Sequence, residues 1–223
     1  ETGVGTALLN DHDDKWLREL FQGGMGFLAD ERTLWFTSEK PGYMHLFTLD
    51  AAASNPEAKA LTSGSWEIAG VDLSLDRKTF YLTTTEAGAG ERHLYSMAST
   101  GGPRTRLTTV VGSHESRVSP DGAALATVYS AGNKPPEIYV GPFANDLAKR
   151  VTTSPSAEWL AGKWLDPKVV MVTARDGVKV PSRLYRPEDL GAKPNPKRPA
   201  VIFVHGAGYL QNAHRYWSSY YRE

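Results

Sequence analysis

The sequence contains no cysteine. Disulfides, thiolate zinc sites and cysteine nucleophiles are therefore excluded within these 223 residues. Compartment stays open, because a domain with a large core can be secreted without disulfides. An excess of one charge is also missing: Lys plus Arg number 25, as do Asp plus Glu, and no basic run concentrates charge locally. That balance supplies no field to steer DNA, RNA or an anionic membrane, so no nucleic-acid or membrane partner is expected. No apolar run approaches the roughly 20 residues that cross a bilayer. Residues 1–16 are polar and acidic, with neither a basic start nor an apolar stretch, and carry no signal-peptide pattern. The six histidines (His12, His45, His93, His114, His205 and His214) form no H-x-x-x-H pair and have no carboxylates at a ligand spacing beyond what chance gives. Neither a metal nor an organic cofactor is expected.

What is present is repetition. An apolar fraction of 40% and a charged fraction of 22% are ordinary for a globular chain of one generous or two modest domains. Three units follow one another, each a pair of short strands around a turn, closed by a threonine-rich phrase. In the first, Leu34–Ser38 and His45–Leu49 flank Glu39-Lys40-Pro41-Gly42, and Leu61-Thr62-Ser63-Gly64 closes it. In the second, Thr79–Thr84 and His93–Met97 flank a loop with Gly88 and Gly90, and Arg106-Leu107-Thr108-Thr109 follows. In the third, Ala124–Ser130 and Glu137–Val140 flank Gly132-Asn133-Lys134-Pro135-Pro136, with Arg150-Val151-Thr152-Thr153 behind. Tyr95 follows Phe47 by 48 residues, and Tyr139 follows Tyr95 by 44.

These segments are rich in β-branched and aromatic residues and bounded by Gly, Pro and Asp, so they read as strands. Ser119-Pro120-Asp121-Gly122 is a strong turn signal, and Ser74-Leu75-Asp76-Arg77 holds the same place one unit earlier. A period in the forties with about four strands is that of a propeller blade. A β-sandwich also has many short strands, but does not require the same phrase to recur at this spacing. His45 and His93 occupy equivalent positions, and recurrence assigns them a structural duty, such as a bond tying one strand to its neighbour, ahead of a ligand role. Glu67, after Trp66 on a connection between units, reads as a solvated or turn-bonding acid rather than a substrate contact.

After Thr153 the repeat stops. Ser154–Ala157 reads as a boundary, which predicts propeller blades over 1–155 and a linker with the start of a second domain over 156–223. Trp159, Trp164 and Pro167 suggest a packed crossing. Val169–Thr173 and Val178–Tyr185 flank Asp176-Gly177, a hairpin signal. A proline-rich connection, with Pro187, Pro194, Pro196 and Pro199, leads to Ala200-Val201-Ile202-Phe203-Val204. That continuously apolar run predicts a strand buried on both faces of an α/β sheet. It delivers the chain to His205-Gly206-Ala207-Gly208-Tyr209, where glycines let backbone N–H groups converge on an anion or developing oxyanion. The residues from Ala213 on, with Trp217, Tyr220 and Tyr221, read as the start of a helix or a substrate-side loop.

Taken together, the chain resembles the prolyl oligopeptidase family of serine peptidases, in its dipeptidyl-peptidase-IV-like branch. The phrases that carry the likeness are Thr37–Phe47, Leu61–Glu67, Arg92–Tyr95, Ser119–Gly122, Asp176-Gly177 and Val204–Gln211, in consistent order along the chain. The resemblance implies a mostly β fold: C-terminal blades of an incomplete β-propeller, followed by the opening strands of an α/β-hydrolase domain. It implies a peptide substrate, cleavage after proline or alanine, and a Ser-Asp-His triad lying beyond residue 223, so that the 223 residues alone are expected to be inactive. An acylaminoacyl-peptidase, an esterase of the same architecture, or a non-catalytic propeller binding module are the alternatives. It also implies an oxyanion loop at His205–Tyr209. Many relatives have a tyrosine where this chain has His205; either Tyr209 or backbone groups take that duty here. For a bacterial parent the resemblance favours the periplasm or secretion over the cytoplasm. Open sheet edges lead us to expect association with further chain segments or another subunit.

Overall fold

A computed structural model describes residues 3, 5–15, 24–204, 206 and 211–218. Its organising feature is one four-stranded antiparallel sheet, made three times in succession. The first sheet is β1 (Met25–Phe27), β2 (Thr33–Ser38), β3 (His45–Asp50) and β4 (Lys59–Ala60), in that spatial order. The second is β5 (Ile68–Leu73), β6 (Thr79–Thr84), β7 (His93–Ala98) and β8 (Arg104–Arg106). The third is β9 (Ser113–Val118), β10 (Ala124–Ala131), β11 (Lys134–Pro142) and β12 (Lys149–Arg150). Phe47, Tyr95 and Tyr139 all lie on the third strand of their own sheet, opposite Phe36, Leu82 and Thr127. The expected units are therefore separate, blade-like sheets and not one continuous sheet.

Local chemistry explains the turns between first and second strands. Ser119 Oγ donates to Asp121 Oδ1 (2.5 Å) and accepts the Ala124 N–H (2.9 Å), while Gly122 at φ 69° donates its N–H to the Ser119 carbonyl (2.8 Å). Ser74 and Asp76 repeat these bonds, with Arg77 at φ 56° where the third sheet has glycine. The first sheet uses the same backbone turn with Leu28 in the serine position: Asp30 accepts the Arg32 and Thr33 N–H groups, and Glu31 takes φ 51°. Leu28 carries no hydroxyl, which hid this third copy from sequence inspection.

Consecutive sheets are joined alike. The Ile68 N–H donates to the Met44 carbonyl (2.9 Å), and the His114 N–H to the Arg92 carbonyl (3.0 Å). Met44 and Arg92 each stand just before the third strand of their sheet. Apolar packing fills the space between the first two sheets, where Trp35, Met44, Leu46, Ile68, Phe80, Leu82 and Met97 form a buried cluster. Phe80 is fully buried and meets Trp35 edge-on at 5.6 Å. Between the second and third sheets the contacts are more polar and aromatic: Tyr81 stacks on Phe143 at 6.3 Å, and Arg117 bonds Asp72 at 3.1 Å.

The third sheet departs from expectation at one point. The loop predicted over 132–136 is a two-residue Gly132-Asn133 turn, and β11 begins at Lys134. Prolines 135 and 136 cannot donate to a ladder, and the register with β10 slips between Tyr129 and Ala131, opposite them.

Beyond the sheets, Ser156 caps α1 (Ala157–Ala161) by accepting the Trp159 N–H at 3.1 Å. Trp159 stacks on Trp164 at 4.8 Å, while Trp164 stays 47% exposed and α1 has no buried residue. β13 (Lys168–Thr173) and β14 (Lys179–Leu184) form the expected hairpin around Asp176-Gly177 and, among the described residues, pair only with each other. The predicted buried strand at 200–204 is not formed. These residues lie outside any strand, and Val201, Ile202 and Val204 are 98, 84 and 82% exposed. An apolar run of this kind becomes a central strand only with hydrogen-bonding neighbours on its edges, and no described strand pairs with it. No helix among the described residues is long and apolar enough to cross a membrane.

Candidate functional site

The repeated histidines are tied into the sheets. In the first, the Leu46 N–H donates to Thr62 Oγ1 at 3.0 Å, and His45 Nδ1 lies 3.0 Å from the same oxygen. His45 Nε2 faces the Gly64 carbonyl at 3.0 Å, which can only accept, so that nitrogen carries a proton. The second sheet repeats the arrangement with Leu94 N–H to Thr108 Oγ1 (2.9 Å) and His93 Nδ1 to Thr108 Oγ1 (3.1 Å). The third keeps the threonine and changes its partner. Ile138 N–H donates to Thr152 Oγ1 at 2.8 Å, and the Thr152 hydroxyl donates to the Glu137 carboxylate, which also accepts the Ser154 N–H at 2.6 Å. His45, His93 and Glu137 therefore perform one job, clamping the chain after the fourth strand onto the third. The structural duty read for the two histidines holds, and Glu137 is a third member that a search for recurring histidines misses.

A polar cluster fills the joint between the second and third sheets. The His93 and His114 rings are 5.0 Å apart, and His114 is 4.9 Å from the Tyr129 ring. His114 Nδ1 lies 2.9 Å from Asp146 Oδ2, and Nε2 lies 2.7 Å from the Val110 carbonyl. His93 Nε2 sits between Glu91 Oε2 at 2.9 Å and Arg106 Nη2 at 2.8 Å. One nitrogen cannot serve both: it accepts from Arg106 when bare and donates to Glu91 when protonated. Burial pushes the His93 pKa down, Glu91 opposes this, and Arg106 and His114 add to it. Burial satisfied in this way suits a joint between sheets, and among the described residues no three His, Cys, Asp or Glu side chains are placed to hold a metal ion.

On the connection between the first two sheets, Trp66 meets the His45 ring edge-on at 4.8 Å and carries the Arg104 guanidinium 4.8 Å above its face. Arg104 is held by a two-pronged bond to Glu86, at 2.9 and 2.6 Å, which keeps the Glu86 carboxyl below its usual range. Glu67 is exposed, in keeping with a solvated acid, and its backbone N–H donates to Thr85 Oγ1 at 2.9 Å.

Of the predicted oxyanion-loop residues, His205, Ala207, Gly208 and Tyr209 lie outside the described residues, as do Tyr220 and Tyr221. Gly206 is described: it is exposed, with open space where a Cβ would stand. The chain that follows the loop returns to the second sheet. Arg215 N–H donates to the Gly90 carbonyl at 2.8 Å, and Arg92 Nη1 donates to the Tyr216 hydroxyl at 3.0 Å. Trp217 meets Trp159 edge-on at 5.6 Å. Sequence reading had no route to the Arg92–Tyr216 pair, since the partners are 124 residues apart.

The family described as the dipeptidyl peptidase IV (DPP IV) N-terminal region matches residues 1–136. The matched span takes in the first two sheets whole and the third as far as the start of β11.

Proposed function

The chain belongs to the dipeptidyl peptidase IV N-terminal region family, and from that premise we propose that it is the propeller-side part of a serine peptidase. Residues 1–155 are blades of a β-propeller that closes with further blades and restricts access to the active site. Residues 156–223 lead into an α/β-hydrolase domain whose serine, acid and histidine follow residue 223. The substrate is a short peptide cut after proline or alanine. The His205–Tyr209 turn lends backbone N–H groups to the oxyanion of the tetrahedral intermediate, with Tyr209 as the candidate side-chain donor.

The observation that carries this reading is the family match over 1–136 together with the change of architecture after it. Three like-built sheets end at β12, and a capped turn of helix and a separate hairpin follow before the sequence His205–Tyr209. The apolar side chains left exposed on β13, β14 and 201–204 suit segments that other parts of a hydrolase sheet would cover.

The role of each group follows from acyl-transfer chemistry. A serine hydroxyl needs a neighbouring base to take its proton and an acid to orient that base. Fixed donors must then hold the charge that develops on the carbonyl oxygen. Only the donor element falls in this sequence.

A substrate panel on the protein as its gene encodes it tests the proposal. Free-amine dipeptidyl p-nitroanilides with proline or alanine before the scissile bond are expected to be hydrolysed, and the 223 residues alone are expected to hydrolyse none. Preference for N-blocked peptides would replace this reading with an acylaminoacyl-peptidase, and turnover of simple esters alone with an esterase. No turnover of any of them would leave a binding module.

A further inference from the structure

Gly90, Glu91 and Arg92 precede β7 and make a set of contacts that the clamp and the sheet joint do not use. The Gly90 carbonyl accepts the Arg215 N–H at 2.8 Å. Arg92 donates to the Tyr216 hydroxyl at 3.0 Å, and its guanidinium lies 5.2 Å from the centre of that ring. Arg215 reaches Glu91 Oε1 at 3.5 Å. Tyr216 is itself braced, its ring stacked on His214 at 3.7 Å and its carbonyl 3.0 Å from His214 Nδ1. Backbone, charge and ring contacts converge on the segment 213–216 through two neighbouring residues, Arg215 and Tyr216, which fixes register as well as proximity.

The approach leaves little room for a side chain at position 90, and the facing backbone would have to give way to admit one. A Cβ there would stand 3.1 Å from the Ala213 carbonyl oxygen and 3.3 Å from His214 Cα. Gly90 is not among the glycines with positive φ, so backbone conformation does not demand it. The close approach of the returning chain favours it.

The loop is also rigidly mounted. Arg92 donates its N–H to the Gly112 carbonyl (3.1 Å) and accepts the His114 N–H (3.0 Å), so its main chain is pinned to the third sheet. Glu91 Oε2 is engaged by His93 while Oε1 faces Arg215. A contact point tied to two sheets can hold a partner in place in a way that a loop tip cannot.

We propose that the Gly90–Arg92 loop is a docking point that joins the chain leaving the His205–Tyr209 turn to the second sheet, with Arg92 as its positioning residue. The turn ends four residues before the docked segment. Fixing the chain at 213–216 limits the positions open to the residues that precede it in sequence. The consequence for catalysis rests on the peptidase reading; the docking itself does not.

Hydrogen–deuterium exchange on the protein as its gene encodes it decides the docking. Gly90→Val is expected to speed exchange of the Arg215 amide about tenfold or more, and Tyr216→Phe, which removes one hydroxyl, about threefold, with amides of β6 and β7 unchanged. Protection of Arg215 unaltered in both variants overturns the docking; should Gly90→Val disturb the second sheet, Tyr216→Phe and Arg92→Lys decide it alone. In the same variants kcat on the preferred peptide is expected to fall several-fold with KM held within about twofold, the mark of a misplaced catalytic group rather than lost substrate binding. Faster exchange with wild-type kcat removes the positioning role and leaves the peptidase reading standing. Absence of turnover in the wild type removes the peptidase reading, and exchange still decides the docking.

Discussion

His93 Nδ1 lies 3.1 Å from Thr108 Oγ1, an oxygen that also accepts the Leu94 N–H. One hydroxyl thus satisfies two buried groups, a ring nitrogen and a strand amide; Thr62 does the same in the first sheet, and Thr152 joins the Glu137 carboxylate to the Ile138 amide in the third. Thr108→Val keeps the shape and removes the oxygen. It leaves both groups buried without a partner, each at a cost of about 1–3 kcal/mol. Urea unfolding is expected to show a loss of about 2–4 kcal/mol; a loss below about 0.5 kcal/mol would mean that the clamp is incidental.

The His93 ring predicts a pH dependence. Its folded pKa lies below the ordinary 6.5, chiefly through burial. The unfolded chain then binds more protons as pH falls through about 6.5, so stability is full above that value and declines below it. The denaturation midpoint is expected to drop between pH 7 and 5.5. His93→Asn, which retains a donor or acceptor for Thr108, is expected to flatten that slope while lowering stability at pH 7.

Phe80 is the central contact of the cluster between the first two sheets. Phe80→Ala is expected to cost about 3–5 kcal/mol, the usual range for a buried aromatic cut to alanine. Thermal or urea unfolding measures this. A cost near zero would show that the two sheets are not packed face to face as described.

The three turns offer a matched pair of substitutions. Gly122 at φ 69° and Arg77 at φ 56° hold the same left-handed position in successive sheets. Gly122→Ala is expected to destabilise by about 1 kcal/mol, through crowding of Cβ against the backbone. Arg77→Gly removes that crowding and is expected to be neutral or mildly stabilising. Equal losses at both sites would contradict the shared geometry.

Much of this fold was legible because its signals are local and repeated. The strands around Phe47, Tyr95 and Tyr139 lie where composition and spacing place them, and the recurrence of His45 and His93 pointed to a bond between strands. Glu137 escaped because equivalence was read by residue type, whereas the geometry asks only for a side chain that can pair with a threonine hydroxyl. The turn at Asp30-Glu31 escaped because Leu28 lacks the serine oxygen that marks its copies. Residues 200–204 mislead for a different reason: their composition states a preference for burial, and burial requires neighbouring strands that a local pattern does not specify. Of the proposed oxyanion turn, only Gly206 is among the described residues. The Arg92–Tyr216 contact depends on how the chain returns across the second sheet, and no local signal encodes that.

The peptidase assignment is tested most directly by active-site titration with a fluorophosphonate on the protein as its gene encodes it. The account predicts one equivalent of label, on a serine of a G-x-S-x-G segment that follows residue 223, with loss of peptide hydrolysis in proportion. A protein that hydrolyses nothing and takes up no label would contradict it.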